Sequence, residues 1–141
     1  SHTMLEFMPL RDEELMLALP ASHPAISSFE KHGVDLSLLR DEPFILNQQN
    51  SYFRSLEREI LSHCSFTPDV LCEIRDLNAS SNMVANGKGI AFLPRSVYEG
   101  CHLFSLPEPM IFHVVIAYSK GIILTGPIRD LIMLLLKNAP Q

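Results

Sequence analysis

A chain of 141 residues with 11 Lys and Arg against 16 Asp and Glu carries a net charge of -5. That balance argues against a nucleic-acid surface, which needs clustered Lys and Arg to displace counterions from phosphates. Hydrophobic residues make up 47% of the chain, enough for one buried core, yet its apolar runs are too short to cross a bilayer and no repeat divides it.

The opening Ser1-His2-Thr3-Met4 resembles the remnant of an expression tag, so residues 1–4 are set aside and the natural segment is expected to begin near Leu5. Leu15-Met16-Leu17-Ala18-Leu19 is a short apolar run stopped by Pro20, and its length predicts a buried strand over Glu14 to Leu19. A turn at Ala21 to Ala25 follows. After a charged stretch containing Gly33, a short helix is predicted around Leu36 to Arg40 with Asp35 as its cap. Pro43 to Leu46 reads as a second buried strand, and Asn47 to Ser51 as a polar loop. In the helix that follows, Phe53, Leu56, Ile60 and Leu61 share one face, while Arg54, Glu57, Arg58 and Glu59 fall largely on the other.

Beyond the turn at Ser65 to Pro68, Val70 to Ile74 predicts a third strand, and Arg75 to Asn78 leads into another helix. The segment Ser80 to Pro94 reads as the end of that helix, a glycine stop and a short buried strand. Gly87 is suited to the left-handed conformation that ends a helix, and Gly89 leaves room for the turn into Ile90 to Leu93. Cys101 to Leu106 predicts a short edge strand and Pro107-Glu108-Pro109 a break. Met110 to Tyr118, nearly continuous in apolar character, is expected to be a strand covered on both faces. Thr125 or Gly126 would cap a last helix carrying Ile128, Leu131, Ile132, Leu135 and Leu136 on its apolar face. Alternating strands and helices at this spacing predict an α/β fold with a mostly parallel sheet flanked by helices.

Pro9-Leu10, Glu13 to Pro20, His23-Pro24, Leu36 to Ile45 and Val84 to Pro94 come in an order and spacing that resemble the effector-binding domain of LysR-type transcriptional regulators along nearly the whole chain. The resemblance implies a fold like the type 2 periplasmic binding proteins, with two lobes, crossover strands and a small-molecule effector in the cleft. Residues 34–106 would form the complete second lobe, and residues 5–33 and 107–141 part of the first lobe with the crossover strands. The family carries a winged helix-turn-helix ahead of this domain and its first lobe opens with further β-α units; neither is expected in this chain.

The implied function is cytoplasmic, non-enzymatic sensing of a small organic or amino acid, with no cofactor and no membrane. DNA would be contacted only by the family's helix-turn-helix domain. Self-association to a dimer or higher oligomer is expected, through Met110 to Tyr118 or the helix from Ile128 to Leu136. A solute-binding protein or a small-molecule enzyme on the same fold is the alternative. A basic helix-turn-helix upstream would mark a regulator, and a signal peptide a solute-binding protein.

In open α/β folds ligands sit beyond the carboxyl ends of strands, where helix N-termini present free N–H groups. Two loops meet that description. One offers Gln48, Asn50, Ser51 and the positive charge of Arg54; the other offers Asn78 and Ser80. Asn50, Ser51 and Asn78 are equally suited to be plain helix caps. Cys64, Cys72 and Cys101 are odd in number without a Cys-x-x-Cys pair, which suits reduced thiols. The neighbouring pairs His63-Cys64 and Cys101-His102 point in divergent directions and predict no metal. No Gly-x-Ser-x-Gly elbow marks a nucleophile, and the glycines at Gly87 and Gly89 follow a helix rather than precede one, unlike a phosphate loop.

Overall fold

The computed structural model describes residues 4–97 and 100–119, together with positions 130, 133, 134 and 137. Most of the helix expected around Ile128 to Leu136 therefore lies outside the described residues. Two compact units are distinguished, one of residues 14–110 and one of residues 1–13 with 111–141.

The larger unit follows from its apolar runs. The second half of β1 (Leu5–Pro20) enters it, followed by α1 (Ile26–His32), a single 3-10 turn at Leu36–Leu39, β2 (Pro43–Asn47), α2 (Tyr52–Ser62), β3 (Asp69–Ile74), α3 (Leu77–Ala85), β4 (Ile90–Pro94) and β5 (Cys101–Phe104). The strands lie in the order β3-β2-β4-β1-β5. Phe44, Val70 and Ile90 thus fall in one sheet, with β2 parallel to both β3 and β4. The sheet is mixed, however. β1 is antiparallel to β4, pairing Leu15 with Pro94 and Ala18 with Ala91, and antiparallel to β5 on its other side.

The backbone of Leu15 to Pro20 is hydrogen-bonded between β4 and β5, so residues 14–33 cluster with residues 34–106. A central strand with neighbours on both edges explains why Leu15, Leu17, Ala18 and Leu19 are completely buried. Each fully buried Leu, Ile or Phe contributes about 1.5–3 kcal/mol relative to exposure. Phe44, Ile45 and Leu46 of β2 and Ile90 to Leu93 of β4 complete the same core, with Val84 of α3 packed onto Ala18, Ile45, Ala91 and Leu93. β3, at the edge, leaves Val70 and Leu71 exposed.

The joint from α3 to β4 forms as its glycines predict. Gly87 has φ 73°, and the N–H groups of Gly87 and Lys88 bond the carbonyls of Val84 and Met83, both at 2.9 Å. This is the paired C-terminal bonding of a Schellman cap. Asp35 caps the 3-10 turn by accepting from Ser37 N at 3.0 Å.

β5 ends at Phe104 rather than Leu106, which is buried in the following bend. The aromatic ring of Phe104 meets Phe29 of α1 edge-on at 5.6 Å. His23, just after β1, accepts from Ala25 N at 3.0 Å through Nδ1 and bonds Glu42 through Nε2.

The smaller unit contains the first half of β1 and β6 (Met110–Ser119), and β6 pairs with β1. Asp12 and His113 are bonded at 2.5 Å. β6 is not covered on both faces as its composition suggested: Phe112 is buried, whereas Ile111 and Val115 are exposed.

Candidate effector-binding edge

Because β2 and β3 run parallel in a register that sets Asn47 beside Ile74, their following loops emerge from the same edge of the sheet. Side chains tie the two loops together. Arg75 Nε donates to Gln48 Oε1 at 3.1 Å, and Gln49 Nε2 donates to Glu73 Oε1 at 3.2 Å. Each loop opens directly into a helix N-terminus.

Ser51 caps α2, accepting from Arg54 N at 3.1 Å while donating to the Gln48 carbonyl at 2.9 Å. In α3 the cap is Asp76, which accepts from Asn78 N at 2.9 Å. Asn78 lies inside the helix, exposed, and is not a cap. Gln48 and Asn50 are also exposed, and Ser51 is half-buried.

Ser80 and Arg54 are placed otherwise. Ser80 is buried one turn into α3 with its hydroxyl 3.4 Å from the Asp76 carbonyl. Arg54 is buried rather than on the polar face, donating to the Asn47 carbonyl at 2.6 Å and facing Glu73 at 3.5 Å. Its charge is taken up within the edge. The cations exposed there are Arg75 and Arg58, and Arg58 donates to the Gln49 carbonyl and side chain at 2.9 and 2.7 Å.

Glu57 is also buried, fully so, where an exposed carboxylate was expected. It accepts from Asn47 N at 2.9 Å and from Asn47 Nδ2 at 2.8 Å. Burial pushes its carboxyl above the usual glutamate range, opposed by the two Asn47 hydrogen bonds and the charges of Arg54 and Arg58. Asn47, read from the sequence as loop, is the buried last residue of β2. The spacing contained a signal for Glu57: four residues after Phe53 and three before Ile60, it falls on the apolar stripe of α2.

No group of three or more His, Cys, Asp or Glu among the described residues is arranged to hold a metal. Burial raises the thiols of Cys64 and Cys101, away from a reactive thiolate. At the opposite edge of the sheet, Ser27, Ser28, Glu30, Lys31 and His32 line an open hollow of about 450 Å³ on α1.

Residues 1–140 match the family described as the LysR substrate binding domain. The chain belongs to that family. A curated relative, the HTH-type transcriptional regulator BenM of Acinetobacter baylyi, is 33% identical over 99 residues, covering 69% of this chain and 32% of its own length. The transcriptional dual regulator GltC of Bacillus subtilis is 28% identical over 101 residues, covering 71% of this chain and 33% of its own length. This chain thus spans about a third of the curated relatives it matches, and those relatives are transcriptional regulators rather than enzymes.

Solved structures agree on the fold. The BenM effector binding domain with benzoate gives a TM-score of 0.66 at 26% identity, covering 97% of this chain and 64% of that one. The regulatory domain of CcmR from Synechocystis PCC6803, in complex with 2-PG, gives 0.75 at 18% identity, covering 99% of this chain and 71% of that one. The architecture is therefore the α/β, periplasmic-binding-protein-like fold of LysR effector-binding domains. No described helix is long and apolar enough to cross a membrane.

Proposed function

We propose that this chain is the effector-sensing part of a cytoplasmic LysR-type transcriptional regulator, in which residues 14–110 form most of the second lobe. The observation that carries the reading is the family match over residues 1–140, joined to a sheet edge where two loops and two helix N-termini converge. Gln48, Asn50, Ser51 and Asn78 would line one wall of the cleft. Arg75, exposed and oriented by Gln48, would supply the charge that buried Arg54 does not.

An organic acid is the effector class this edge suits, since the positive ends of two helices and the exposed guanidinium of Arg75 favour an anion. Solved relatives bind acids of that kind: the BenM effector domain is recorded with benzoate and the QuiR domain with shikimate. Binding would shift the regulator between conformations by its differential affinity for them, and DNA, held by a helix-turn-helix domain elsewhere in the protein, would feel the shift by linkage. Self-association belongs to the same proposal.

A thermal-shift screen of organic and amino acids on the full-length regulator tests this. An acid that raises the melting temperature should lose most of its effect in Gln48→Ala, Ser51→Ala and Arg75→Ala. Binding that ignores all three substitutions would remove the edge from the site.

A further inference from the structure

We infer that Glu57, too deeply buried to touch an effector, is the positioning residue of the effector loop: through Asn47 it fixes the end of β2 and with it the shape of residues 48–51. This rests on the reading that those residues form a wall of the site. Three polar groups of Asn47 are held by α2, its N–H and side-chain NH2 by the two oxygens of Glu57 and its carbonyl by Arg54. The other end of the loop is held by the same helix, where Ser51 bridges the Gln48 carbonyl and the Arg54 N–H. A four-residue span is thereby pinned at both ends to two turns of α2.

Packing alone does not call for a carboxylate at this place. Glu57 lies between Phe53 and Ile60 on the buried stripe, where leucine would fill the volume without the cost of desolvating a charge. Both oxygens are spent on Asn47 rather than on a core partner. Its acceptors are what the position uses.

Amide hydrogen exchange on the 141-residue chain separates positioning from packing. The reporters are the amides of Asn47, Ser51 and Arg54, bonded to Glu57, Gln48 and Ser51, and the reference is the amides of Ile90 to Leu93 in β4. Glu57→Leu should speed exchange at the reporters by about tenfold or more relative to β4. Glu57→Gln should stay within about threefold of the parent, because its amide oxygen still accepts from Asn47 N and the Asn47 side chain can turn to accept from its NH2. Reporters and β4 moving together in Glu57→Leu, no change, or equal damage in Glu57→Gln would each overturn the inference. Should Glu57→Leu not fold, Asn47→Ala removes the side-chain arm alone and must speed exchange at Ser51 and Arg54 in the same selective way. The readout needs no effector, so a failed clamp shows in exchange and a failed effector-loop reading shows in the thermal-shift comparison.

Discussion

At Gly89 a side chain has nowhere to go: an added Cβ would stand 2.7 Å from the Pro43 carbonyl oxygen and 3.2 Å from two carbons of Ile45. The need for glycine was legible from the tight helix-to-strand joint, but not its cause, because the approach of β2 is a pairing between distant segments. Gly89→Ala should lower the unfolding free energy in urea by about 1–3 kcal/mol; an unchanged midpoint would mean that β2 and β4 separate freely. Glu57 adds a pH dependence. Its folded carboxyl holds the proton more tightly than the unfolded one, so the stability linked to that proton is complete below the ordinary glutamate range and is lost as pH rises through the raised folded value. The unfolding free energy of the parent relative to Glu57→Gln should therefore fall across that window, by at most about 1.4 kcal/mol per pH unit for one proton. A difference that stays flat with pH would show that burial does not raise the group.

Helix caps and apolar runs made most elements of the larger unit readable, and the exceptions have physical reasons. α1 was missed because seven residues with no side-chain cap give neither a full apolar stripe nor a start signal. β1 was read only over Glu14 to Leu19, since its first half carries Glu6, Pro9, Arg11 and Asp12 and is held by pairing with β6 rather than by its own composition. The polar face of α2 was misassigned at Arg54 and Glu57 because charge suggested solvent, while partners at the ends of β2 and β3 supplied what burial demands. Caps act at this scale too. Asp76→Ala removes the acceptor for Asn78 N at the start of α3 and should cost about 1 kcal/mol by thermal unfolding, within the 0.5–2 kcal/mol range of lost N-caps. Loss of α3 without any change in melting would contradict the coupling of this helix to the core through Val84.

Across the whole chain the two units differ in how well their apolar surface is covered. In the larger unit the long apolar side chains of β1, β2 and β4 are buried. In the smaller unit Phe7 of β1 is 62% exposed, and Ile111 and Val115 of β6, the strand expected to be covered, are 48% and 44% exposed. Removing such surface from water is favourable at about 25 cal/mol per Å², and exposed apolar side chains on paired strands favour association. The expected cover is a second copy of the chain, in line with the self-association proposed for the regulator. Light scattering at micromolar concentration should give a mass above the 15.9 kDa of one chain, and Val115→Lys and Phe7→Lys should shift it toward that value by placing charge where the contact forms. A clean single-chain mass for the parent, or an oligomer untouched by both lysines, would remove β6 and the first half of β1 from the contact.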